Sequence, residues 1–491
     1  MPVASVTLEN YSGLFACLLD DAKRRRRALL RAVKKRPQPT EKQPNQRFFP
    51  INQLPRDVLA EVFVRCLPEF ESWSDIEGLS SAKGVAPLLL CGVCSSWRDL
   101  VRSVPRLWQR LSLRLASTTQ SKTEEVTALV HEWIKRSGVL PLVLSLHVRV
   151  VVLDDYLLGF RAMVEAVLGS FVQYASRWEH FHYHQCMANI SIAFPELGDM
   201  PHLRSLSLRG YNFEDIGLHI SSRPMKLTAL NWPLHPTASS SPSPPWDQLT
   251  HLVLGHFMTA RDTLVVIQSC PKLAELEIES YDEGDNLDQP PRGITVVNNS
   301  LRKLVLNVGE SCAQLLKRLA LPVLTDMTLH FDYCAPHVHK QLLRFFTRSK
   351  CKLDRLHLVD SEFGSEMLLQ CLEHDSCASI TDLSIANTFD EPMVTDPVLT
   401  ALMDSPSLDD SDTLLPNLAH LEFHMCLDGS PGVLGMMLVS RCVSWDEEDQ
   451  LKTVKIVCQS LSPPDIVLIA KLKVTHGLKV TLDIVPGDDD I

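Results

Sequence analysis

Long apolar runs are missing from this 491-residue chain, and no stretch reaches the roughly 18 consecutive apolar residues of a membrane span. It does not begin with a basic segment followed by an apolar core and a small-residue cleavage site, so no secretory leader is read. Neither a Walker loop, a dinucleotide fingerprint, a zincin motif nor a nucleophile elbow occurs, and no other constellation points to an enzyme. The 14 cysteines form no dense framework, in a chain too long to need disulfide staples, which suits a reducing compartment and ordinary buried thiols. An excess of positive charge is also lacking: 48 Lys and Arg against 59 Asp and Glu leave a net charge of −11, which argues against general nucleic-acid binding. These absences predict a non-enzymatic chain of the cytoplasm, the nucleus or both, with no cofactor, metal, nucleic acid or membrane among its partners.

What the chain does have is core. Hydrophobic residues make up 45% and the mean hydropathy is +0.01, over a length that suits two or three domains or one small domain with a long repeat array. The charge is uneven. Residues 1–47 carry eleven Lys and Arg against four Asp and Glu, a balance of +7, so the remainder carries about −18. Two basic clusters, Lys23–Arg27 and Lys34–Arg36, lie in a segment with helical spacing, and they read either as a nuclear-import signal or as a solvated helical arm. Pro37, Pro39 and Pro44 then mark a linker.

Residues 51–111 are the most informative. Pro55 suits a first helical turn, where its missing N–H costs nothing. Val58, Leu59, Val62 and Phe63 follow at three- and four-residue spacing and make an apolar stripe, with Arg56, Asp57, Glu61 and Arg65 mostly opposite. Beyond an acidic, Ser/Gly-containing insert at 68–86, a second apolar helix carries Leu88, Leu89, Val93, Trp97, Leu100 and Val101, and Pro105 restarts a turn bearing Leu107 and Trp108. About 60 residues in three short helices bury little core alone, so such a module tends to keep apolar surface for a partner. An ordinary three-helix bundle is the plainer reading of the same pattern.

The ordered motif INQLPRDVLAEVF…LLLCGVCSSWRDLVRSVPRLW resembles the F-box. The resemblance implies docking to the Skp adaptor subunit of Skp–cullin–F-box ubiquitin ligases, and through it to a cullin. Carried onto this sequence, the implied docking positions are Leu54, Pro55, Val58, Leu59, Val62, Phe63, Val93, Cys94, Trp97 and Trp108. The insert is longer than the turn of the shortest family members and is expected to loop out.

Past Leu111 the organisation changes. Thr123–Ser137 reads as a helix with Glu124 and Glu125 in its first turn, Lys135 and Arg136 in its last, and Gly138 just beyond. A strand over Leu140–Val148 and a helix over Asp154–Trp178 follow. Then a six-residue unit, apolar-x-x-apolar-x-apolar, recurs eleven times, from WEHFHY at 178 through LRSLSL at 203 and LRKLVL at 301 to LKTVKI at 451. Start-to-start spacings of 22 to 29 residues fit leucine-rich repeats, and the last two, 38 and 33, need extra loop at Asp404–Thr413 and Asp446–Gln450. Prolines 201, 271, 322 and 416 announce several units, and helical spacing recurs between them at Asp262–Ser269, Cys312–Leu319, His337–Thr347, Glu366–Glu373 and Val433–Val439. One such unit cannot cover its own apolar face, so stacking is compulsory.

The predicted architecture is therefore α/β: a short three-helix F-box bundle followed by an irregular leucine-rich-repeat solenoid with parallel strands on its concave face. The boundaries read as a basic arm and linker (1–47), the F-box (48–114), a helix–strand–helix connection (115–177), the solenoid (178–484) and an acidic tail (485–491). Positions one, four and six of each unit should turn inward, and positions three and five should stand on the concave face. That face offers a protein substrate His180, His182, Asn231, His251, Glu275, Glu277, Lys303, Asp326, Arg355, His357, Asp382, His420 and Glu422, with an acidic patch around Glu275, Glu277 and Glu279 and a basic spot at Arg355. Polar residues facing water on an exposed sheet would look the same. Three other features are read as structural. His180, His182 and His184 alternate along one strand as any half-exposed strand does, Cys91-x-x-Cys94 lacks a second pair, and Pro236–Pro245 is a surface loop.

Overall fold

The computed structural model describes residues 51, 54–67, 86–116, 123–149, 157–186, 192, 199–210, 226–232, 245–255, 259–279, 295–308, 310–331, 336–359, 363–387, 392–404, 413–442 and 451–485. The basic arm and linker at 1–47, the body of the insert at 68–85, the Pro/Ser run at 236–244, the loop segments 405–412 and 446–450, and the tail at 486–491 lie outside the described residues. Contacts divide the chain into residues 1–59 and 60–491, a boundary within helix α1 (Arg56–Arg65). In the first part the Leu54 N–H donates to the Ile51 carbonyl (3.2 Å) and the Leu59 N–H to the Pro55 carbonyl (3.0 Å), which opens the helix directly after the proline.

The second apolar half is two helices rather than one, α2 (Leu88–Cys91) and α3 (Ser95–Ser103). Gly92 and β-branched Val93 are poor helix residues, and Cys94 between them and α3 is extended, at φ −155° and ψ 171°. A 3₁₀ turn, Pro105–Trp108, follows. Leu90, Leu100, Val101, Leu107 and Trp108 are buried. The Phe63 and Trp97 rings meet at 4.7 Å between centroids, and the Trp108 Nε1–H donates to the Val101 carbonyl (2.8 Å).

The rest of the described chain is organised by one parallel sheet of 14 strands in strict sequence order. The strands are β1 (Arg110–Ala116), β2 (Leu142–Arg149), β3 (Trp178–Cys186), β4 (Ser205–Arg209), β5 (Ala229–Trp232), β6 (His251–Leu254) and β7 (Glu275–Ile278). They continue with β8 (Lys303–Val308), β9 (Asp326–Phe331), β10 (Arg355–Val359), β11 (Asp382–Ala386), β12 (His420–His424), β13 (Thr453–Cys458) and β14 (Lys479–Ile484). Each strand pairs with its predecessor and successor alone, a topology compatible with a solenoid-like α/β stack.

All eleven repeat units coincide with strands, and the sheet extends beyond them at both ends. Arg110–Ala116, expected within the F-box, and Leu142–Arg149, expected in a connection, are its first two strands, and Lys479–Ile484 is its last. The unit's apolar positions turn inward as the spacing requires: Leu203, Leu206 and Leu208 are fully buried, and so are Leu324, Met327 and Leu329. The second position supplies the joint between neighbours. The Thr228 carbonyl accepts the N–H groups of Thr250 (2.8 Å) and His251 (3.0 Å) and the Thr250 hydroxyl (3.0 Å), and the same arrangement recurs at Arg302 with Thr325 and Asp326.

Helices cross back between strands: α4 (Thr123–Arg136), α5 (Leu157–Val172), α6 (Ala260–Ser269), α7 (Glu310–Leu316), α8 (Pro336–Ser349), α9 (Ser365–Leu372), α10 (Asp396–Ala401), α11 (Val433–Cys442) and α12 (Pro463–Thr475). At three junctions an arginine ties one repeat to the helix end before it. Arg177 donates to the Ser137 hydroxyl and the Leu140 carbonyl beyond α4, Arg348 to the Leu316 and Leu319 carbonyls at α7, and Arg441 to the Leu402, Leu414 and Leu415 carbonyls beyond α10. Orphan carbonyls at helix C-termini need such donors, and a cation there also suits the helix dipole. Asn298 does the same for α6, donating to the Ile267 and Cys270 carbonyls while accepting from the N–H groups of Ser300 and Leu301. No helix among the described residues is long and apolar enough to cross a membrane.

Candidate interaction surfaces

The third and fifth positions of successive units lie in register and form two rows across the sheet face opposite the leucines. The first row runs His180, Ser205, Ala229, His251, Glu275, Lys303, Asp326, Arg355, Asp382, His420, Thr453 and Lys479. The second runs His182, Ser207, Asn231, Val253, Glu277, Val305, Thr328, His357, Ser384, Glu422, Lys455 and Thr481. All thirteen residues proposed for the concave face belong to these rows.

The face has two regions. From β2 to β5 it is the more buried: His182 and Asn231 are buried with Ser145, Ser205 and Ser207, while His147, His180 and His184 are only half-buried. From β6 onward it opens. His251 and Arg355 are exposed, and Glu275, Glu277, Lys303, Asp326, His357, Asp382, His420 and Glu422 are partly so. Between β8 and β14 the open part forms a pocket of about 620 Å³ whose charged lining is Lys303, Arg355, Lys455 and Lys479 against Asp326, Asp382 and Glu422. Four cations against three acids give this surface a balance of +1, in a chain whose net charge is −11.

Charge alternates along the first row, so neighbours on adjacent strands compensate. Arg355 lies 3.7 Å from Asp326 and 4.0 Å from Asp382, and Lys455 pairs with Glu422 at 2.5 Å. The basic spot expected at Arg355 is thus bracketed by two carboxylates. In the acidic patch, Arg209 bonds Glu279 (2.8 Å) and lies 3.7 Å from Glu277, while His251 stands 3.4 Å from Glu275. Burial raises the Asp326 carboxyl above its ordinary value against the opposing pull of Lys303 and Arg355. Burial lowers the His357 imidazole, and His330 beside it lowers it further.

The histidines read as a structural alternation along β3 belong in part to a metal-capable group that spans two strands. Among the described residues, His147 on β2 joins His182 and His184 on β3, with one ligand atom of each within 4.8 Å of the others, and His180 is not part of the group. His147 lies on a strand expected only as part of a connection, and the spacing Leu144-x-Leu146-x-Val148 puts it on the face away from the core. Cys91 and Cys94 are free thiols. Burial raises the Cys91 thiol, and the Ser96 hydroxyl, 3.2 Å from Cys94 Sγ, lowers that of Cys94.

The positions implied for Skp docking separate by burial. Leu59, Phe63 and Trp108 are interior, and Trp108 is enclosed by the Val101 carbonyl, the Trp133 ring at 4.8 Å and the Arg136 guanidinium at 4.6 Å. Such a side chain supports a surface rather than forming one. Leu54, Cys94 and Trp97 are half-buried and Pro55 is exposed. Val58 and Val62, one helical turn apart, are exposed, as are Leu89 and Val93, at 49% and 56%. Exposed β-branched and leucine side chains on short helices are the kind of surface that a partner covers. No family model matches the chain, and no curated protein matches it.

Proposed function

We propose that the chain is a substrate-recognition adaptor of a Skp–cullin–F-box ubiquitin ligase. Its segment 51–111 docks the Skp adaptor, and its sheet, an irregular leucine-rich-repeat solenoid, presents the two polar rows to a protein substrate. The observation that carries this reading is the direct succession of a short helical segment with exposed Val62, Leu89 and Val93 and a sheet of 14 parallel strands in sequence order. Such a chain carries out no chemistry of its own. Holding a substrate lysine near ubiquitin charged on other subunits raises its effective concentration, and that tethering is the whole contribution. The compensated rows favour a substrate surface of mixed charge over a polyanion or a polycation, because unmatched charge would leave Asp326, Arg355 or Asp382 facing its own sign.

A second reading, a non-catalytic leucine-rich-repeat scaffold acting outside any ligase, is favoured by the burial of Phe63 and Trp108, which the chain itself satisfies. Proximity labelling in cells separates the two. The receptor reading expects the Skp adaptor and a cullin to be labelled by the wild-type chain and lost with Leu54→Ala/Pro55→Ala, with substrates accumulating under proteasome inhibition. Absence of both subunits from the wild-type sample sinks it.

A further inference from the structure

We propose that His147, His182 and His184 form a binding site for a divalent transition ion, zinc in the first place, on the polar face of β2 and β3. His147 pairs in register with His184, and His182 lies two residues earlier on the same strand and therefore on the same face. The ring centroids of His147 stand 5.1 Å from those of His182 and 5.7 Å from those of His184. Two nitrogens bound to a tetrahedral zinc at 2.0–2.1 Å are about 3.3 Å apart. The observed separations, within 4.8 Å, therefore have to close by at most about 1.5 Å, which χ rotations supply.

Independent observations point the same way. His147 Nε2 is buried without a hydrogen-bond partner among the described residues, a costly state that a bound ion relieves. Of the cations that face the group, Arg209 is bonded to Glu279, and Arg114 has no ion pair among the described residues. Neutral imidazoles select zinc, copper or nickel over magnesium or calcium, which need oxygen ligands. Cys186, whose Sγ is 3.7 Å from His184 Nε2, adds a soft donor at the rim. Three protein ligands leave one position on the polar face for water or for a side chain of a bound protein.

The test uses the full chain, freed of metal with chelator and titrated with Co²⁺. One equivalent should generate the absorption of tetrahedral Co²⁺, and Zn²⁺ should bleach it. His184→Gln should lose the band and weaken binding about 100-fold or more. His184→Cys should keep one equivalent and add a thiolate-to-cobalt charge-transfer band, and it carries the test alone if His184→Gln does not fold. No saturable band in the wild type, equal binding by His184→Gln, or no charge-transfer band in His184→Cys overturns the site. So does binding of inorganic phosphate in place of Co²⁺, which would make Arg114 and Arg209 the ligands of an anion.

Discussion

Replacing Arg441 with methionine should loosen the C-terminal part of the stack by about 3 kcal/mol. Arg441 is 3% exposed, and its guanidinium donates to the Leu402 carbonyl (2.6 Å), the Leu415 carbonyl (2.9 Å) and the Leu414 carbonyl. Methionine fills most of the volume but donates nothing, which leaves the Leu402 and Leu414 carbonyls without this donor, while the Leu415 carbonyl keeps the Leu418 N–H (3.2 Å). Two groups left unsatisfied cost about 1–3 kcal/mol each and the lost charged hydrogen bond to Leu415 about 1.5–3, so the gross loss is about 4–9 kcal/mol. Against it stands the cost of burying a guanidinium, several kcal/mol, which the variant no longer bears and which the burial-lowered pKa of Arg441 reflects. A net loss near 3 kcal/mol remains. Each unit contacts mainly its neighbours, so the loss should be local, at α10, α11 and the turn before β12. Hydrogen exchange of the full chain reads it directly: amides of Leu402 and Leu418 should exchange about 150-fold faster, at 1.36 kcal/mol per tenfold. Arg441→Lys should recover part of the loss, because one ammonium cannot serve three carbonyls in a fork. A change under about threefold in Arg441→Met would refute the structural role.

Gly435 sits where α11 and α12 approach closely, and a Cβ there would lie 2.6 Å from Leu468 Cδ1 and 2.8 Å from its Cβ. Gly435→Ala should cost about 1–3 kcal/mol in urea unfolding, whereas Gly159→Ala, with nothing within 4 Å, should be neutral or stabilise by up to about 1 kcal/mol; equal effects would remove the packing argument. His357, whose imidazole burial lowers below its ordinary value of 6.5, binds a proton more readily unfolded than folded. Stability should therefore be complete above pH 6.5 and decline as the pH falls below it, by at most about 1 kcal/mol once solvent screening of this partly exposed ring is allowed for. His357→Gln should flatten that slope between pH 7 and 5.5, and identical slopes by denaturant titration would contradict the assignment.

Repetition made the sheet legible. The unit apolar-x-x-apolar-x-apolar fixes which side chains turn inward, and a parallel register then carries that parity from strand to strand, so both polar rows follow from spacing alone. The first strand was hidden by its neighbourhood: WQRLSL at 108 has the unit's spacing, yet Trp108 and Leu111 also complete a helical pattern. The strands at 142 and 479 alternate apolar residues without the three-residue step. Burial on the polar face was not legible, since parity says which side a residue faces and not whether water reaches it: His182 and Asn231 share their row with half-exposed Glu277 and Glu422. Nor was the pairing of charge. Arg209 reaches Glu279 from a strand 70 residues earlier, and only the stacking brings them together. In the helical segment, the stripe Val58, Leu59, Val62 and Phe63 splits into an outer and an inner pair, a division finer than a four-residue period resolves.

The central claim concerns the exposed helical surface, and a calorimetric titration of the purified full chain with the Skp adaptor tests it most directly. The adaptor reading predicts a 1:1 complex in the wild type and a weakening of about 100-fold or more in Val62→Glu/Val93→Glu, since each buried, unpaired carboxylate costs at least about 1.4 kcal/mol. Both valines are exposed, at 38% and 56%, so the variant should fold as the wild type does. A wild-type chain that does not bind the adaptor, or a folded variant that binds it equally well, contradicts the account.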